Sequence, residues 1–203
     1  MLGGDIMLSM KQLNMQQIKE VHQCYLVHDF PIEEQKPLEF IESLVNKKVY
    51  ICYGLYKEEN LVAYAFFCKG TESNCILLDF LAVVKEYRSD GYGSKFLKMM
   101  QETLTDYDGI IFEVESGKSA KNSEEQIVCE RRIDFYHRNG VRDTDNYCLY
   151  FGVDMIIMYM TLVRELDDDT IDKNLDNIYH TMFTPEIYSA NVILRKEKIQ
   201  IID

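Results

Sequence analysis

Residues 75–104 read CILLDFLAVVKEYRSDGYGSKFLKMMQETL, and this stretch decides the fold. The apolar run Cys75–Val84 has the length and the residue types of one buried strand. A short charged turn follows, and apolar residues then recur at the spacing of an amphipathic helix that ends near Leu104. The sequence therefore predicts a strand, a glycine-containing turn and a helix in direct succession.

The turn between this strand and this helix has the composition of an anion-binding site. The first N–H groups of a helix have no intrahelical acceptor, and the helix dipole adds positive charge there. Gly91 and Gly93 let the backbone approach a ligand without a Cβ, and Arg88 adds a permanent charge. A tight turn without a ligand would have the same composition, and the pattern is neither a Rossmann fingerprint nor a P-loop.

A longer pattern distinguishes these alternatives. Leu81, Ala82 and Val83, followed by Arg-x-x-Gly-x-Gly, resemble the acetyl-CoA-binding motif of the GNAT N-acetyltransferase superfamily. The resemblance covers roughly residues 48–163. It implies that the backbone of the three strand residues pairs with the pantetheine amides of acetyl-CoA. It also implies that the whole turn binds the cofactor, through Arg88, Ser89, Asp90, Gly91, Tyr92, Gly93 and Ser94.

Two further residues match family positions of catalytic interest. Glu113, in a strand reading Ile-Phe-Glu-Val, matches the glutamate base of bacterial acetyltransferases that modify protein N-termini, and Tyr136, before Asn-Gly, matches their tyrosine acid. From the residues alone, Tyr136 could equally be a core aromatic and Glu113 a solvated strand residue. Asp79 and Glu115 are further candidate carboxylates. The family's usual Ser-Asn-x-x-Ala segment is missing, and residues 116–125 lengthen this connection instead.

The other elements follow from periodicity, capping residues and turns. They are a strand Ile6–Lys11, a helix from the Asn14 cap to about His28, a helix at Pro37, strands Val49–Tyr56, Leu61–Cys68 and Gly109–Glu115, a helix capped by Ser123, strands Tyr147–Phe151 and Met155–Leu162, a helix capped at Asp167, a helix from Pro185 and a tail Ile199–Ile202. The fold class is thus α/β (α+β), a single GNAT-like domain over residues 1–203. Its mixed, mostly antiparallel central sheet is expected to be flanked by helices and splayed at the acetyl-CoA site. Residues 164–203 form a C-terminal helical extension, expected to pack on the domain or in a homodimer.

The composition of the chain argues against several classes of function. The chain has 203 residues, 47% of them hydrophobic, and a formal net charge of −12. This charge argues against nucleic-acid and anionic-membrane partners, and it suits a cationic amine substrate, although acidity for solubility alone is common. The six cysteines show no zinc-ligand spacing and are expected to be reduced, with no metal bound. Without a signal peptide or an apolar run of membrane-spanning length, we expect a cytoplasmic protein.

Together these observations predict an enzyme that transfers an acetyl group from acetyl-CoA directly to a primary amine, without a covalent enzyme intermediate. The sequence names no acceptor. A non-catalytic acyl-CoA-binding sensor or regulatory module is the alternative, because such a module would keep the same cofactor turn.

Overall fold

A computed structural model describes residues 7–32, 34–118, 120 and 122–196. The described chain forms two compact units. The first contains the described residues up to Cys68 together with Asp79–Thr103, and the second contains Lys69–Leu78 and the described residues from Leu104 onward. The prediction of a single domain stays a prediction. No described helix combines the length and the apolar character that crossing a membrane requires.

The first unit is built on antiparallel strands and the helices that precede and follow them. Its elements are β1 (Leu8–Gln12), α1 (Met15–Val21), a π-helical turn (His22–Leu26), α2 (Val27–Asp29), α3 (Leu38–Asn46), β2 (Tyr50–Lys57), β3 (Asn60–Lys69), the second half of β4 (Cys75–Val83), a 3₁₀ turn (Lys85–Tyr87) and α4 (Tyr92–Thr103). The strands follow the order β1-β2-β3-β4. The Asn14–Gln17 capping box and the β2–β3 hairpin are present as predicted.

The second unit continues from the first half of β4. It contains β5 (Gly109–Glu115), α5 (Ser123–Arg138), β6 (Arg142–Tyr150), β7 (Val153–Thr161), α6 (Asp168–Met182), α7 (Pro185–Asn191) and β8 (Val192–Lys196). β4 pairs with β5 in parallel, from Cys75–Gly109 to Leu78–Phe112. The other pairings, β5 with β7, β7 with β6 and β6 with β8, are antiparallel. The predicted mixed, mostly antiparallel α/β fold is therefore confirmed, with eight strands among the described residues.

Two element boundaries and one strand differ from the sequence-based expectations. α5 is capped by Asn122, whose side chain accepts from the Glu125 N–H, rather than by Ser123. β6 begins at Arg142, because Thr144 turns inward and donates to the Ile157 carbonyl at 2.6 Å in an otherwise polar segment. β8 was not expected at all, since its five residues become a strand only by pairing with β6. The expected Ile199–Ile202 tail lies outside the described residues.

The described part of the C-terminal extension packs within the second unit. α6 buries an apolar face consisting of Ile171, Leu175, Ile178, Tyr179 and Met182. Its polar face holds the β3–β4 loop, where the Asn174 Oδ1 accepts from the Asn74 N–H at 2.9 Å and the Asn177 Oδ1 from the Glu72 N–H at 3.0 Å. α6 is thus part of the packing of this unit rather than an appended tail.

Candidate active site

The predicted cofactor turn lies in the first unit, at the start of α4. Ser89 and Gly91 both have positive φ, 70° and 76°. The first helical bond runs from the Lys95 N–H to the Gly91 carbonyl at 3.1 Å. The N–H groups of residues 92–94 therefore precede the intrahelical ladder, at the positive end of a 12-residue helix. This is the backbone arrangement that favours an anion.

Gly91 suits the backbone conformation of this turn. Its φ of 76° lies in the left-handed region that glycine adopts readily. A Cβ at this position would meet no heavy atom within 4 Å among the described residues. The space beside the turn thus fits the close approach of a ligand's phosphate oxygens to the backbone.

Arg88 is held in place by the first unit itself. Its Nη2 lies 2.6 Å from the Asp29 Oδ1, and its Nε donates to the Val83 carbonyl at 3.0 Å. Asp29 also accepts from the Tyr64 hydroxyl at 2.9 Å. The Arg88 side chain is half-exposed, whereas that of Asp29 is almost buried. One end of the guanidinium is therefore fixed to the scaffold while the residue stays at the surface beside the turn.

The strand residues expected to pair with pantetheine, Leu81, Ala82 and Val83, are each half-buried. Immediately after them the Val84 N–H donates to the Val62 carbonyl of β3 at 3.0 Å. These residues, the turn and Arg88 form one continuous run of chain in one unit. Their chemistry fits an acyl-CoA: strand amides for the pantetheine, and N–H donors with a cation for the pyrophosphate.

Tyr136 lies on α5 in the second unit and is 9% exposed. Its ring packs edge-on against Phe112 of β5, with ring centroids 4.9 Å apart. No residue that the structure describes hydrogen-bonds to its hydroxyl. Burial raises the pKa of Tyr136 to about 12, partly offset by the Arg132 charge. The phenol therefore stays protonated at physiological pH, as a hydrogen-bond donor must.

Glu113 lies on β5, on the strand face opposite to Tyr136. Side chains alternate along a strand, and Phe112, the neighbour of Glu113, is the residue that contacts Tyr136. The Glu113 carboxylate instead accepts a hydrogen bond from Tyr179 of α6. Burial and the Glu113 charge raise the pKa of Tyr179 well above 10, so this phenol remains a donor. The two residues predicted as acid and base are thus not brought together, and the role of Glu113 stays a prediction.

The other two candidate carboxylates have different surroundings. Glu115 lies close to Cys129 of α5, whose pKa is raised first by burial and then by the Glu115 charge. Asp79 lies in the first unit and binds Lys36, with the Nζ 2.6 Å from its Oδ1, and also accepts from the Tyr50 hydroxyl. Sequence reasoning missed Lys36, Tyr50 and Tyr179, and no local pattern points to them.

Comparison with known proteins shows the family to which the chain belongs. The chain belongs to the acetyltransferase (GNAT) family, whose model matches residues 15–140, more than half of the sequence. This confirms the resemblance read from residues 75–104. A search of curated proteins found no match.

Solved structures support the same fold. A GNAT-family protein from Bacteroides thetaiotaomicron is 19% identical, with a TM-score of 0.65 over 88% of this chain and 98% of its own. The ribosomal-protein-S18-alanine N-acetyltransferase from Escherichia coli is 16% identical, with a TM-score of 0.56 over 80% of this chain and 98% of its own. A Bacillus subtilis acetyltransferase in complex with CoA is 14% identical, with a TM-score of 0.53 over 77% of this chain and all of its own. At these identities the similarity concerns the fold.

Proposed function

We propose that the protein transfers an acetyl group from acetyl-CoA to a primary amine by direct attack of the amine on the thioester. The observation that carries the proposal is the turn before α4, where positive φ at Ser89 and Gly91 directs the chain into a helix N-terminus beside Arg88. Membership of the GNAT family supports an acyl-CoA donor for this turn. The Bacillus subtilis neighbour is a complex with CoA, which agrees with this assignment.

In this proposal the cofactor turn, the backbone of β4 and Tyr136 have different tasks. The N–H groups at the start of α4 and Arg88 bind the pyrophosphate, and the backbone of Leu81–Val83 binds pantetheine and polarises the thioester oxygen. The amine attacks in its neutral form, the C–S bond breaks, and the electron pair remains on sulfur. Tyr136 stabilises that sulfur by donating a hydrogen bond.

The raised pKa of Tyr136 limits how far its proton moves. A thiol has a pKa of about 8.5, so complete transfer from a phenol of pKa about 12 would be uphill by about 5 kcal/mol. Tyr136 therefore acts mainly by hydrogen bonding to the developing thiolate, and the final proton of the CoA thiol comes from the acetylated nitrogen. Donation to a developing charge is stronger than donation to the neutral thioester sulfur, which is the condition for catalysis.

The alternative is a non-catalytic acyl-CoA sensor, and one experiment separates the two. CoA affinity is measured by calorimetry, and thiol release from acetyl-CoA is followed across a panel of polyamines, amino acids and peptide N-termini. Thiol release that depends on an amine, with the acetylated product identified by mass spectrometry, supports the enzyme. Tight CoA binding without turnover on any member of the panel would support the sensor.

A further inference from the structure

Lys36, Tyr50 and Asp79 form a nearly buried polar cluster in the first unit. The Lys36 and Asp79 side chains are 11% and 6% exposed, and each Asp79 carboxylate oxygen accepts one hydrogen bond, from the Lys36 ammonium or from the Tyr50 hydroxyl. Burial and the Asp79 charge raise the pKa of Tyr50 well above 10, so the phenol remains a donor. The cluster thus presents one cation and one anion side by side.

The position of the cluster relates it to the proposed reaction. Asp79 is on β4, two residues before Leu81, and at about 3.3 Å per residue this places it about 7 Å along the strand from the predicted thioester-binding backbone. Aromatic rings flank the pair: the Lys36 Nζ lies 5.0 Å from the centroid of Phe80, which packs edge-on against Phe30. An amine bound at Asp79 would be close to the proposed site of acetyl transfer, beside aromatic rings.

A second observation concerns His22, which contacts the backbone of Lys36. The His22 Nε2 lies 2.9 Å from the Lys36 carbonyl oxygen, which is only an acceptor, so this ring nitrogen carries the hydrogen. His22 is 8% exposed and belongs to the π-helical turn, an irregularity that is frequent at functional sites. Its Nδ1 is buried and has no hydrogen-bond partner among the described residues. His22 therefore fixes the backbone of Lys36 and keeps a buried polar atom available.

A structural ion pair is a weak explanation for this cluster. The desolvation penalty of burying two charges is about as large as their electrostatic attraction. Apolar residues of similar size would therefore stabilise the folded state at least as well. A ligand that carries both charges would exchange with the pair at little electrostatic cost. Its ammonium takes the place of Lys36 on Asp79, its carboxylate takes the place of Asp79 on Lys36, and the net charge of the site remains zero.

We propose that the acceptor is a free amino acid, recognised by its ammonium at Asp79 and its carboxylate at Lys36. This inference rests on the proposed acetyl transfer. The ammonium first loses one proton to solvent, its lone pair forms the N–C bond, and the C–S bond breaks with its electrons on sulfur. The second nitrogen proton then neutralises the thiolate, so the products are an N-acetyl amino acid and CoA.

The test compares each amino acid with its C-terminal amide, which keeps the amine and the side chain but lacks the carboxylate. In the wild-type protein kcat/KM for the acid should exceed that for the amide by roughly 10- to 150-fold, the effect of one charge-assisted hydrogen bond. Lys36→Met keeps the aliphatic stem and should reduce that ratio to about one. The matched control is Lys19→Met, which removes a partly exposed ion pair with Glu42 in the same unit and should keep the wild-type ratio.

The outcomes distinguish this inference from the proposed function. If amides, peptides or polyamines are acetylated as well as free amino acids, the inference is overturned while acetyl transfer stands. Calorimetry could instead show that amino acids bind and that Lys36→Met abolishes this binding without changing CoA affinity, while no amine is acetylated. That result would support amino acids as the ligand and overturn the proposed acetyl transfer. If amino acids neither bind nor react, the inference is wrong. The comparison of acids with amides uses the wild-type protein, so it holds even where Lys36→Met does not fold.

Discussion

Valine at position 91 should remove most of the affinity for acetyl-CoA while leaving the protein folded. The substitution should destabilise the folded state only through backbone strain. Gly91 has a φ of 76°, and a Cβ there would meet no heavy atom within 4 Å among the described residues. Holding an L-residue in that region costs about 1–2 kcal/mol, or a decrease of roughly 2–8 °C in melting temperature for a chain of this size.

The loss of affinity should be larger than this strain, because the added side chain fills space that the pyrophosphate would occupy. A hydrogen bond to a charged group contributes about 1.5–3 kcal/mol, so losing one such contact weakens binding by roughly 10- to 150-fold. Gly91→Ala should give a smaller loss in the same direction. Calorimetric titration with CoA measures the affinity, and circular dichroism on heating measures the stability.

Gly152 provides the matched control. It has a φ of 82° and the same open space at its Cβ position, but it lies in the β6–β7 turn. Gly152→Val should lower the melting temperature as Gly91→Val does and leave CoA affinity unchanged. A folded Gly91→Val protein with wild-type affinity would refute the placement of the cofactor at this turn. Equal losses of affinity in both variants would show that backbone strain, and not ligand contact, is responsible.

The remaining predictions concern the side chains of the candidate site. Tyr136→Phe should lower kcat by roughly 10²-fold or more with little change in CoA affinity, and wild-type turnover would exclude its role. Burial raises the pKa of Tyr136 to about 12 from an ordinary value of about 10, so the wild-type protein should lose at most about 3 kcal/mol of stability as pH rises from 10 through 12. Chemical denaturation should show that Tyr136→Phe lacks this loss. Glu113→Gln tests the base role predicted from the sequence: if Glu113 accepts the proton of the amine, turnover should fall most at neutral pH and recover partly at high pH, whereas an unchanged pH profile would leave that proton to solvent. Tyr179→Phe should also lower turnover. In a double-mutant cycle with Glu113→Gln, the two losses of turnover should be less than additive, and full additivity would mean that Tyr179 does not act through Glu113. Asp29→Asn should weaken CoA binding a few-fold by releasing Arg88, and calorimetry showing unchanged affinity would exclude this support.

The elements that could be predicted from the sequence are those whose signal is local. The β4–turn–α4 stretch, the Asn14 capping box and the α6 cap at Asp167 each depend on residues a few positions apart, and the structure has them where they were expected. β8 depends on pairing with β6, from which α6 and α7 separate it in the sequence, and the first half of β6 pairs with β7 beyond a register shift between Asp143 and Tyr147, so neither alternation nor composition indicated them. Capping of α5 by Asn122 was missed because Ser123 offers an equally good capping pattern one residue later.

The candidate site likewise has a part that could be predicted from the sequence and a part that could not. Its backbone part, the turn at Arg88–Ser94, could be predicted because glycine positions and a following helix are local features. The partners of its side chains could not be predicted, because they come from distant parts of the sequence. Asp29 binds Arg88 from 59 residues away, and Lys36 binds Asp79 from 43 residues away. Tyr179 reaches Glu113 from 66 residues away, out of an extension that the family resemblance did not cover. Such contacts are decided by packing, which a single sequence does not encode in any short pattern.

Some of the 14 tyrosines have a defined role beside acidic groups of this chain, whose net charge is −12. Three carboxylates each accept a hydrogen bond from a tyrosine that is itself buried: Asp29 from Tyr64, Asp79 from Tyr50 and Glu113 from Tyr179. In every pair, burial and the neighbouring carboxylate raise the pKa of the phenol, so the donor stays neutral. A chain with 34 acidic residues and 22 Lys and Arg residues can thereby stabilise partly buried carboxylates. Replacing one of these tyrosines with phenylalanine keeps the packing but leaves a carboxylate oxygen without its donor, at a cost of about 1–3 kcal/mol.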